Sequence, residues 1–97
     1  MAYDPGAIDA TLAAAVGDDP ALIAELRMAF VESARAGLTA IEEAHDDAAR
    51  RAAAWRLKGL AASFGAVRLM ALAAEATVTG AGDVAMVKRL RRAIERL

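Results

Sequence analysis

The 97-residue chain has no cysteine, a single histidine, two prolines and only four aromatic residues. Without cysteine there are no disulfides and no thiolate metal sites, and His45 alone leaves a histidine-based metal site short of ligands. Neither a metal nor another cofactor is expected. A net charge of -1 gives no global bias toward nucleic acid or an anionic membrane. The basic run from Lys88 to Arg96 lacks the aromatic interleaving of a nucleic-acid surface and reads as a solvated helix face. No apolar run approaches the roughly 18 residues of a membrane span, and Met1-Ala2-Tyr3-Asp4-Pro5 lacks a basic segment leading into an apolar one. A soluble, cytoplasmic protein is expected.

What the chain has in abundance is alanine, which supplies much of the 58% apolar content, favours helix and buries little area. One domain over residues 1–97 is expected, with its core built from Leu, Ile, Val, Met and Phe. Asp4-Pro5 and Asp19-Pro20 each place an N-cap acceptor before a proline at the first helical position. The first helix runs from about Pro5 to Val16, with Ile8, Leu12 and Val16 on one stripe, and stops near Gly17. The second runs from Pro20 to about Ala44, with Leu22, Ile23, Leu26, Phe30, Ala34, Leu38 and Ile41 in helical period and Gly37 weakening it slightly. Asp46 or Asp47 caps a third helix through about Ser63, and Gly65 permits a sharp connection into a fourth, Ala66 to Thr77, with Leu69, Leu72, Ala73 and Ala76 inward. Val78 to Asp83 reads as a loop, and Asp83 caps a last helix whose stripe is Val87, Leu90, Ile94 and Leu97. No strand alternation appears. The expectation is all-α: an up-down-up-down four-helix bundle with a short extra N-terminal helix.

The third helix holds Ala54-Trp55-Arg56-Leu57-Lys58-Gly59-Leu60-Ala61-Ala62-Ser63-Phe64-Gly65-Ala66. This stretch resembles the signature of histidine-containing phosphotransfer (HPt) domains, A-H-x-L-K-G-x-x-x-x-x-G-A, with Trp55 in place of the phospho-accepting histidine. The likeness extends to Asp19, Leu22, Leu26, Phe30 and Glu32 upstream and to Leu69, Leu72 and Ala73 downstream. It departs from the pattern at Leu60, where a small or polar residue is common, and at Thr77, where an acidic residue often closes the fourth helix. The resemblance implies an HPt-like bundle in which Lys58 balances phosphate charge and Gly59 and Gly65 serve as access and turn glycines. It also implies a response-regulator receiver domain as partner, with a histidine kinase as the other choice.

The chemistry does not survive the substitution. Neutral imidazole has an in-plane nitrogen lone pair able to attack phosphorus, whereas the indole nitrogen is a donor only. Phosphotransfer through Trp55 is therefore excluded, and the expected function is a non-phosphorylatable binding module rather than an enzyme. At about 100° per residue, Leu57, Leu60 and Phe64 mark the inner face of the helix and Trp55 falls about 170° from their centre. Arg51 lies one turn before it, Lys58 and Gly59 one turn after, with Ala48 and Ala62 on the same ridge. The expected partner-binding residues are Arg51, Trp55, Arg56, Lys58, Gly59 and Ala62, the cations complementing an acidic receiver pocket. Two alternatives stand beside this reading: an active phosphorelay intermediate using His45, and a self-associating bundle that buries Trp55.

Overall fold

Three aspartates open helices as their positions predict. The Asp19 carboxylate accepts from the amides of Ala21 and Leu22 at 3.1 and 3.2 Å, Asp46 from Ala49 at 2.7 Å and Asp83 from Ala85 at 3.0 Å. Each satisfies amides that have no partner within their own helix. The computed structural model describes residues 5–79 and 83–97. Its five helices are α1 (Pro5–Val16), α2 (Pro20–Glu43), α3 (Asp47–Ser63), α4 (Val67–Thr79) and α5 (Val84–Glu95). Asp4, the expected cap of α1, lies outside the described residues, as do Gly80 to Gly82.

One boundary differs from the sequence expectation. α4 starts at Val67 and continues through Val78 and Thr79, which the sequence reading had assigned to a loop. A β-branched residue costs a helix only a few tenths of a kcal/mol, too little to end it. The first strong breaker is Gly80.

α2 packs on α3, α3 on α4, α4 on α5 and α5 back on α2, so four helices form a closed ring, and α1 lies outside it against α2. α2 and α3 run antiparallel: Phe30 stacks on Phe64 with centroids 4.6 Å apart, and Gly37 sits against Leu57. A Cβ on Gly37 would lie 3.2 Å from Leu57 Cδ1. The glycine that looks like a weakness in the sequence leaves room for Leu57 of α3 to sit close against α2. At about 1.5 Å per residue the 24 residues of α2 span roughly 36 Å, most of the 42 Å long axis of the molecule.

The turn after α3 lies close against α1. Phe64 caps the helix, the Gly65 amide donates to Ala62 O at 3.2 Å and the Ala66 amide to Ala61 O at 2.9 Å. This is a Schellman stop, whose left-handed residue is Gly65 at φ +70°. A side chain on Gly65 would collide with Thr11 Oγ1 and approach Ala7 O to 3.3 Å. Both the conformation and the close approach of α1 therefore require glycine here.

The core is apolar throughout, with Phe30, Ile8, Ile41, Leu57, Leu69 and Leu90 as its largest buried side chains. One inward assignment is corrected: Val16, in the last turn of α1, is exposed, whereas Val87 and Leu97 are half-buried and pack against the core. On α5 the fully buried positions are Met86, Leu90, Ala93 and Ile94, so its inner face is wider than the expected stripe and meets both α2 and α4. Charged pairs bind the ring from outside. Arg89 holds Glu75 of α4 through both carboxylate oxygens at 2.9 and 3.3 Å, and Arg91 holds Glu42 of α2 at 2.6 Å. Arg27 bridges Asp9 of α1 and the Leu97 carbonyl. The Glu75 hydrogen bond and charge hold the Arg89 guanidinium above its ordinary pKa.

Candidate functional site

α3 has two unlike faces. Ala53, Ala54, Leu57 and Ala61 are buried, while Ala48, Arg51, Ala52, Trp55, Gly59 and Ala62 are all exposed. The inner face centres on Leu57, with Leu60 and Phe64 only half-buried at its edge. Trp55 lies about 160° round from Leu57 and is 60% exposed. Tryptophan is usually among the more buried residue types; here it is the only aromatic among the large exposed apolar side chains of the described residues.

Its surroundings are cationic. The Lys58 ammonium stands 4.2 Å above the Trp55 ring, a cation–π contact that holds indole and ammonium together on the surface. Arg51, one turn earlier, has no hydrogen bond or ion pair among the described residues, nor has Arg56. Arg50 turns instead to Asp47 at 3.0 Å. Beyond Asp47, α3 carries no carboxylate at all, so the positive charge on its outer face is unanswered.

A shallow apolar groove of about 470 Å³ runs beside the indole, lined by Ala48, Arg51, Ala52, Trp55 and Thr77. Small residues on α3 keep its floor low, and the end of α4 forms the far wall. Thr77 is half-buried and its hydroxyl donates to Ala74 O at 2.6 Å. That bond occupies the Thr77 proton, which leaves its oxygen as an acceptor and the Arg51 and Trp55 N–H groups as the side-chain donors of the lining.

Of the expected site residues, the structure places Arg51, Trp55, Lys58, Gly59 and Ala62 along one ridge. Arg56, although exposed, is about 100° round the helix from Trp55 and stands on its flank. A Cβ on Gly59 would meet nothing within 4 Å. A mid-helix glycine costs up to about 1 kcal/mol relative to alanine, and packing within the chain gives no reason for this one. His45 is exposed in the α2–α3 connection, outside the groove. Sequence reasoning missed Ala52 and Thr77 as groove walls. The signal for Ala52 was its place one turn before Trp55; Thr77 belongs to the site only through the packing of α4 on α3.

Comparison with models of protein families, with curated proteins and with solved structures finds no match for this chain.

Proposed function

We propose that the protein is an HPt-like, up-down-up-down four-helix signalling module that cannot carry phosphate and binds a two-component partner through the Trp55 face. A response-regulator receiver domain fits that face best. The observation that carries this reading is the exposed Trp55 at the position of the reactive histidine in the resembling motif, with Lys58 stacked on it and Gly59 open beside it. An exposed aromatic flanked by cations has the composition of an interface anchor, and one such residue contributes about 2 kcal/mol or more to binding. The unpaired Arg51 and Lys58 favour an acidic partner and oppose a symmetric pairing of two Trp55 faces, which would set like charges against each other.

Trp55 is the sole tryptophan, so its emission reports directly on this face. Titration with receiver domains from the same cell should give a saturable blue shift with the cognate one, and Trp55→Ala should weaken binding about thirtyfold. If a receiver binds without moving the emission, the docking face lies elsewhere. A companion variant, Trp55→His, should accept label from a phosphorylated cognate receiver; if it folds and binds but takes no label, the face does not have relay geometry.

A further inference from the structure

A second exposed ridge complements the first. On the outer side of α2, Glu25, Met28, Ala29, Glu32 and Ala36 fall within about 100° of one another, and all are exposed. Met28 is 64% exposed, and neither glutamate has an ion pair or hydrogen bond among the described residues. No cation lies between Glu25 and Glu32 on this ridge; Arg35, exposed one turn beyond Glu32, stands at its end. Arg27, which ties α1 to α2, is about 150° round from it, so α1 leaves the ridge uncovered.

The two ridges match in spacing as well as in sign. On α3, Arg51 and Lys58 are seven residues apart with Trp55 four after the first; on α2, Glu25 and Glu32 are seven apart with Met28 four before the second. Seven residues span about 10 Å of helix. Laid antiparallel, a single register sets Arg51 against Glu32, Trp55 against Met28 and Lys58 against Glu25. Ala62 then falls level with Ala21, small against small, which allows close approach of the helices. Thioether on indole is a favourable contact, and each charged pair joins two groups that otherwise have no opposite partner.

We infer that the Trp55 ridge of one copy docks on the Met28 ridge of a second copy, in the register Arg51–Glu32, Trp55–Met28, Lys58–Glu25. The two ridges lie on different helices, so the contact is heterologous and a docked pair keeps one ridge of each kind free, one on each copy. Closure by a two-fold axis along the bundle would need Trp55 and Met28 at the same height. They are not: within the chain Phe30 is level with Phe64 and Gly37 with Leu57, which puts Trp55 about eleven residues, roughly 16 Å, above Met28. Association therefore proceeds head to tail past the dimer. It covers the face that a receiver would use, yet does not depend on the receiver reading.

Sedimentation of the full chain over a concentration series tests this. The wild type should gain mass beyond a dimer with rising concentration, the emission of Trp55 should shift blue in step, and added salt should reverse both. E25K/E32K and R51E/K58E should each weaken association about tenfold or more, as reversal of two charge pairs implies, and a mixture of the two variants should associate again. E25K/E32K should still bind a cognate receiver, which keeps failure here distinct from failure of the proposed function. A wild type that stays monomeric to its solubility limit, or variants that associate as well as the wild type, would overturn the inference. Association that survives E25K/E32K but not Trp55→Ala would point to a symmetric dimer instead.

Discussion

α3 and α5 are both amphipathic helices rich in cations, and they use those cations for different ends. On α5 the Asp83 cap, the buried Met86, Leu90, Ala93 and Ile94 and the pairs Arg89–Glu75 and Arg91–Glu42 all face inward or across to neighbouring helices. On α3 the inner face is as well buried, but Arg51 and Lys58 flank an exposed indole and meet no carboxylate. Arg89 and Arg91 on α5 serve the fold, while Lys88 and Arg92 make no ion pair among the described residues. Charge on the outer ridge of α3 is left for something outside the molecule.

Substitutions should separate these two roles. The largest effect belongs to α5: Leu90→Ala empties a site that is fully buried and should cost about 2–5 kcal/mol in urea unfolding, with binding by the folded fraction retained. Trp55→Ala should do the reverse, changing stability by less than about 0.5 kcal/mol while weakening receiver binding by about 2 kcal/mol, roughly thirtyfold. A loss of stability at Trp55 comparable to that at Leu90 would break the comparison, because the indole would then be part of the core.

Two glycines sharpen it further. Gly59→Ala should raise stability by up to about 1 kcal/mol, since the new methyl meets nothing and the helix gains propensity, and it should weaken any partner that approaches the backbone there. Gly65→Ala should destabilise instead, because its φ of +70° and the adjacent Thr11 both oppose a side chain. Thermal melts of the two variants in opposite directions are the expected result. The smallest effects are electrostatic. Glu42→Gln, which releases Arg91, should cost less than about 1 kcal/mol; Arg51→Gln should leave the melt unchanged and reduce the salt dependence of binding.

Much of the architecture was legible before the structure. Asp19, Asp46 and Asp83 with Pro20 mark helix starts by local hydrogen bonding, and Gly17 and Gly65 mark stops by backbone conformation. Both signals act within a few residues of chain. Leu57 and Trp55 fall on opposite sides of α3 because 3.6-residue periodicity is local too. The misreadings occurred where neighbours decide. Val78 and Thr79 look like loop residues beside Gly80 but continue α4, and Met86 and Ala93 join the expected α5 stripe because two helices, not one, pack against it. The groove at Thr77, the fit of Gly37 on Leu57 and the seat of α1 over Gly65 carry no sequence signal stronger than a small residue.

The sequence by itself determined five helices, the caps at Asp19, Asp46 and Asp83, the outward direction of Trp55 and the absence of a nucleophile at that position, since each depends on bonds and phases within one segment. The tertiary structure decided which charges are consumed and which remain. Arg89 and Arg91 find Glu75 and Glu42 across helix interfaces, whereas Arg51, Lys58, Glu25 and Glu32 find no opposite charge. Pairing depends on which residues the ring brings within a few ångströms of each other, and that distance is set by packing between segments far apart in the chain.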